Sequence, residues 1–195
     1  MVASLDMAHS EIRTLVTKAA RGAGLPWGLA EEAGWAADWL SRRALPAADW
    51  AAAWLAACCE GRGDPVTFGA ALADSLPSGI AAGSTVAIPD GLAGPGYLLP
   101  FLHRVAGTFG SVGITDPSGI VVSVEASGHV MFGPAWRDTS RSWEIGPARP
   151  LRQWADRAIA AASVIDCLDG LALRTTVPPS AASRNNAGAG TSDND

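Results

Sequence analysis

The chain has 195 residues, 48% of them apolar and 17% charged, with a formal net charge of −5. That length suits one domain of two lobes, the apolar share is enough for a core, and the composition is not that of a disordered chain. The acidic balance and the lack of any Lys/Arg run argue against nucleic acid as a partner.

The opening residues show no basic segment followed by an apolar one, so no signal peptide is expected. The longest Ala-rich stretch, residues 47–59, contains Asp49 and is shorter than the roughly 20 residues a membrane span needs. A cytoplasmic protein without a membrane partner is the expectation. Cys58 and Cys59 are adjacent and Cys167 is distant, a pattern that supports neither a disulfide framework nor a zinc site.

Along the chain, Ile12, Leu15, Val16, Ala19 and Ala23 form one helical stripe, with Ser10 as the expected N-cap and Gly22 or Gly24 as the stop. Arg13 and Lys18 fall off the stripe and should stay solvated. Leu25-Pro26-Trp27-Gly28 turns the chain into a second helix, 29–44, with Glu31 and Glu32 in its first turn and Arg42 and Arg43 in its last. Leu45-Pro46 ends it. A third helix spans 47–60 and a fourth, weakened by Gly69, spans 66–76.

From Gly79 the period drops to two. A strand is expected at 85–88 and a short helix at 97–106, entered through Gly94-Pro95-Gly96. Residues 111–115 read as a strand, Asp116-Pro117-Ser118-Gly119 as a turn, and Ile120, Val122 and Val124 as the inward face of a second strand, opposite Ser123 and Glu125. Residues 129–132 complete a three-stranded antiparallel meander, and 142–145 supply a fourth strand. Residues 151–172 read as helical with a break near 163–165. Val177-Pro178-Pro179 ends regular structure, and the remaining Ser, Asn, Gly and Asp have a loop composition. The fold class is therefore α+β: an N-terminal helical lobe (1–78) packed on an antiparallel sheet lobe with helices (79–176), followed by a polar Gly/Asp-rich C-terminal tail (177–195).

Several side chains invite a functional reading beside a plainer one. Trp35 with Trp39, and Trp50 with Trp54, are i,i+4 pairs that could line a pocket for a cation or simply fill a helical core. The glycines of 91–96 could offer backbone N–H groups to an anion or form an ordinary loop; the spacing is neither that of a P-loop nor that of a dinucleotide fingerprint. His103 or His129 could serve as a general base, but no two of the three histidines are spaced as zinc ligands on one helix. Cys58 and Cys59 sit in an apolar helix, where inert thiols are the rule. Asp193, Asp195 and the terminal carboxylate could hold a hard divalent cation or meet arginines such as Arg174 and Arg184.

Two stretches also resemble a known family. Residues 18–34 (Lys18-Ala19-Ala20-Arg21-Gly22-Ala23-Gly24-Leu25-Pro26-Trp27-Gly28 through Gly34), with Arg174-Thr175-Thr176-Val177-Pro178, Ser183-Arg184, Gly188-Ala189-Gly190 and the Asp193-Asn194-Asp195 ending, resemble the bacterial domain of unknown function 3726 family. The resemblance implies a bacterial cytosolic protein and brings no activity, cofactor or catalytic residue.

Two functions follow. One is a non-catalytic accessory or assembly subunit that docks on a metabolic enzyme or on copies of itself. The other is a small-molecule-binding protein or an enzyme, with a site between the lobes for a small anionic ligand, built from Trp27, His103, Arg104, Arg174, Arg184, Asp193 and Asp195 and completed by the tail.

Overall fold

A computed structural model describes residues 4–75, 85–134, 136–137, 140, 142–146 and 158–175. The fold is α+β. Helices α1 (His9–Gly22), α2 (Trp27–Ser41), α3 (Ala47–Cys59) and α4 (Pro65–Ser75) come first, α5 (Leu99–Phe109) precedes the main sheet, and α6 (Ala162–Ala172) closes the described chain. The strands are β1 (Ser4–Met7), β2 (Val86–Ala87), β3 (Ser111–Asp116), β4 (Gly119–Glu125), β5 (Val130–Phe132), β6 (Glu144–Gly146) and β7 (Ala158–Ala161). No described helix is long and apolar enough to cross a membrane.

Helix α1 is the hub of the helices. Ile12, Leu15, Val16 and Ala19 of its expected stripe are buried, Ala23 is half-buried at the C-cap, and Arg13 and Lys18 are exposed. The expected cap is not used: Ser10 lies inside the helix, and Ala8 is the N-cap, its N–H donating to Glu11 Oε2 at 2.6 Å. An acid at the third helical position can satisfy an orphan donor without a Ser or Thr at the cap. Two glycines allow close approach of α1 to its neighbours. A Cβ on Gly22 would collide with the Leu171 carbonyl of α6, and one on Gly34 of α2 with Thr17 of α1.

The main sheet is antiparallel throughout, in the order β2-β6-β3-β4-β5, and the expected meander is its larger part. The inward face differs from the alternation expected. Val122 and Val124 are buried, but Ile120 is 41% exposed while Val121 and Ser123 are buried. The cause is a bulge: Ile114 pairs with Val122 and the next residue, Thr115, with Ile120, so Val121 is an extra residue and the phase flips there.

A larger correction concerns residues 158–161. They are not helical but form β7, which pairs antiparallel with β1, a strand for which the sequence gives no signal. Ala-Ile-Ala-Ala suits a helix on propensity alone; pairing with a strand distant in sequence overrides it. Residues 162–172 are helical, without the expected break. Helix α6 then packs along α1, so the end of the described chain returns to the N-terminal helices.

An aromatic cluster joins helices to sheet. Trp50 of α3 lies 5.6 Å from Trp136 and 6.4 Å from Phe132 of β5, and Trp136 lies 5.6 Å from Trp143, which leads into β6. Trp54 packs on Tyr97 at 5.5 Å. The tryptophan pair on α3, Trp50 and Trp54, is thus core.

Candidate functional site

Among the described residues, functional groups gather in a polar cluster where α2 and α5 meet the β4–β5 turn, around an open trough beside α1, and in a smaller cavity beside β6.

The cluster begins with Arg43, just past the end of α2. It is buried, yet its guanidinium is well held: Nη1 donates to Trp39 O at 2.9 Å, Nε to Gly128 O at 2.7 Å, and the guanidinium carbon sits 3.6 Å from the centre of the Trp39 ring. Burial pulls its pKa down to about 10, which leaves it charged at neutral pH. Gly128 has φ +83°, and a Cβ there would collide with Arg43.

His103 of α5 faces the same turn. Its Nδ1 lies 3.1 Å from Glu125 O, and its ring is 5.4 Å from Trp39. A carbonyl only accepts, so Nδ1 carries the proton in that contact. Burial, assisted by the charge of Arg43, holds the imidazole pKa below its ordinary value of 6.5. Across the turn, His129 Nδ1 is 3.1 Å from the Glu125 carboxylate, which also accepts from Ser127 Oγ at 2.7 Å.

Arg104, one residue on, turns the other way. Its guanidinium carbon is 3.8 Å from the centre of the Trp35 ring, and Nη2 lies 2.8 Å from Glu32 Oε2. That oxygen is shut off from water and has no aligned hydrogen bond, so the contact is an ion pair and not a directed one. The Trp35/Trp39 face does meet cations, as its spacing allows, but they are this chain's own arginines.

The remaining predicted site residues lie apart from this cluster. Trp27 is 65% exposed at the start of α2, with Arg21 stacked 4.8 Å from its ring. Arg174 follows α6, its Nη1 3.9 Å from Cys59 Sγ. Arg184, Asp193 and Asp195 lie outside the described residues. His103 and Arg104 are therefore neighbours on one helix, while Trp27 and Arg174 make their contacts elsewhere.

The 91–96 loop takes the plainer of its two readings. Residues 92–96 are buried, Gly91 N–H donates to Ser140 O, and Leu92 N–H donates to Ser140 Oγ at 2.9 Å. Cys58 is held above its ordinary pKa, chiefly by burial, and is not an activated thiol. Among the described residues no group of three His, Cys, Asp or Glu could hold a metal.

The trough has about 910 Å³ and lies between α1, α6 and β1. Leu15, Ile165 and Ala172 form its floor, and Leu5 and Leu173 stand at its margins, 45% and 66% exposed. Charge is confined to the rim: Asp6, Glu11, Lys18 and Asp169. A smaller cavity of about 590 Å³, beside β6 and the β3–β4 turn, carries Asp90, Asp116 and Glu144. Asp90 accepts from Ser142 N–H, and Asp116, held below its ordinary pKa by Ser118, accepts from Ser118 and Gly119.

The family described as Protein of unknown function (DUF3726) has a model that matches residues 7–83. The resemblance carried by residues 18–34 is borne out. The match holds α1 to α4, and with them Trp27, Glu32, Trp35, Trp39 and Arg43; the C-terminal motifs lie outside it. No curated protein and no solved structure matches the chain.

Sequence reasoning passed over Arg43, Glu125 and Gly128 as a unit, and over the trough. Ser127-Gly128 was legible as a turn, but nothing local says that an arginine 85 residues earlier fastens it.

Proposed function

We propose that this protein is a non-catalytic accessory or assembly subunit that docks on a metabolic enzyme in the bacterial cytosol. One observation supports the reading: among the described residues, the cationic and imidazole side chains gathered where α2 and α5 meet the β4–β5 turn have partners within the chain. Arg43 is held by two carbonyls, Arg104 by Glu32 and Trp35, and His103 by the Glu125 carbonyl. A guanidinium that binds an external anion must offer its fork to that anion. The hydroxyl–imidazole pair among the described contacts, Ser41 Oγ with His9 Nδ1 at 2.9 Å, is not an activated nucleophile: Ser41 is fully buried and donates its proton to Asp38 O at 3.0 Å, so His9 Nδ1 donates to it.

Purification of the tagged full-length chain from its native host tests the proposal. A stoichiometric complex with one enzyme is expected. That enzyme's turnover should change when the chain is removed, and should be restored equally by wild type and by Arg104→Gln. Saturable binding of inorganic phosphate or citrate to the purified chain, lost in Arg104→Gln, would overturn it in favour of the anionic-ligand site.

A further inference from the structure

We infer that the trough between α1, α6 and β1 is the docking site for an amphipathic helix of the partner, apolar on one face and flanked by Lys or Arg. The inference rests on the accessory-subunit reading and adds the partner's chemistry.

The first argument is the distribution of polarity. A small-molecule pocket carries a few convergent polar groups on its walls to fix the ligand. Here the floor is Leu15, Ile165 and Ala172, and the ionisable groups sit on the rim. Such a surface rewards an apolar stripe and discriminates by charge at its edges.

The second argument is length. The trough uses α1 from Ser10 to Lys18, and Ile165 to Leu173 of α6 and the residue just past it, so each wall is nine residues, or eight helical steps, long. At 1.5 Å per residue that is about 12 Å, or two turns. Two turns accept anchors at i, i+3 or i+4, and i+7, the pattern of helix-in-groove recognition. Leu5 on β1 and Leu173 just past α6 are well exposed for their size and extend the apolar surface at the margins of the trough.

The third argument is charge. Among the described rim residues, the acids Glu11 on α1, Asp169 on α6 and Asp6 on β1 outnumber the one lysine, Lys18, on a chain whose net charge is −5. Glu11 accepts a hydrogen bond from Ala8 N–H. A partner segment flanked by basic residues is favoured in approach and in orientation, and an acidic one is repelled. The residues after Thr175 carry Asp193 and Asp195 against Arg184, which makes them the poorer electrical match.

The test uses the full chain and two labelled synthetic helices that share a Leu stripe at i, i+3 and i+7. One is flanked by Lys and the other by Glu. Fluorescence anisotropy should show the Lys peptide binding about tenfold or more tighter than the Glu peptide, with the gap closing as salt rises. Leu173→Glu should abolish binding of the Lys peptide, and Glu11→Lys should erase the charge preference. Both positions are exposed, and circular dichroism melts check that the variants fold; Glu11→Lys combined with Asp169→Lys should reverse the preference.

Equal affinity for the two peptides, no binding of either, or binding indifferent to Leu173→Glu would overturn the inference. Binding seen only after deletion of residues 176–195 would give the trough to this chain's own tail. A dimer made monomeric by Leu173→Glu would give it to a second copy. Each of these leaves the accessory reading standing if the host complex still forms, and that reading falls only by its own experiment.

Discussion

Gly128 carries a double constraint that its neighbours in the turn do not. Its φ of +83° disfavours a Cβ, and the space a Cβ would need belongs to Arg43. Gly110 has the same φ with open space around it, so it isolates the backbone part of the cost. Gly110→Ala should cost about 1–2 kcal/mol, the left-handed penalty alone. Gly128→Ala should cost about 2 kcal/mol more, because a buried guanidinium loses a carbonyl partner. Urea denaturation of the two variants against wild type measures the difference; equal losses would mean that Arg43 repacks freely. His103 is the second residue with a readable consequence. Its folded pKa is depressed by burial and by Arg43, so the unfolded chain takes up the proton first as pH falls. The stability associated with this imidazole is therefore intact above about pH 6.5 and is lost progressively as pH drops through the lower folded value. In thermal melts from pH 7.5 to 5, wild type should lose more than His103→Gln, since carboxylates common to both cancel. A parallel loss in the two proteins would count against a buried neutral His103.

Strand β4 shows how one inserted residue divides an element. On the near side of the bulge, Val122 and Val124 face inward as their alternation says, and both are fully buried. On the far side Ile120 faces out. Val124→Asp should therefore destabilise by about 2–4 kcal/mol through an unpaired buried charge, whereas Ile120→Thr should stay within about 0.5 kcal/mol. Chemical denaturation of the pair checks this, and a large loss at Ile120 would mean that the bulge is misplaced. The contrast also marks what the sequence could carry. The stripe of α1 is legible because Ile12, Leu15, Val16 and Ala19 repeat with the helical period and need no partner to be recognised. The bulge is not, because it is a relation between Ile114 and Val122 on two strands. Strand β7 is still less so: alanines 158, 160 and 161 favour helix, and only β1 makes them a strand. The candidate site fails for the same reason. Arg104 and His103 were visible as residue types, but Glu32 and the Glu125 carbonyl, which occupy them, arrive from other elements.

At the scale of the whole molecule, the described chain is held together by contacts between parts that are far apart in sequence. Helix α6 lies on α1, β7 pairs with β1, and Arg43 ties α2 to the β4–β5 turn. The aromatic cluster is the largest of these ties by side-chain size. Trp50 brings α3 against Phe132 and Trp136, and beneath its ring Gly96 leaves room that a Cβ would fill. Trp143, 2% exposed, continues the cluster to the start of β6. A side chain of that size, almost wholly buried, leaves a cavity when truncated, and the surroundings relax only in part. Trp50→Ala should then cost about 3–5 kcal/mol. The manner of the loss is the sharper expectation. Because Trp50 touches both the helices and the sheet, neither can keep its packing while the other melts, so the variant should still unfold in one transition. Far-UV circular dichroism at 222 nm reports the helices, and hydrogen exchange at the β3 and β4 amides reports the sheet. In Trp50→Ala both should shift to lower denaturant by the same amount. A sheet that keeps wild-type protection while the helical signal moves would show that Trp50 packs only within the helices, and that the cluster is not the joint between the two layers.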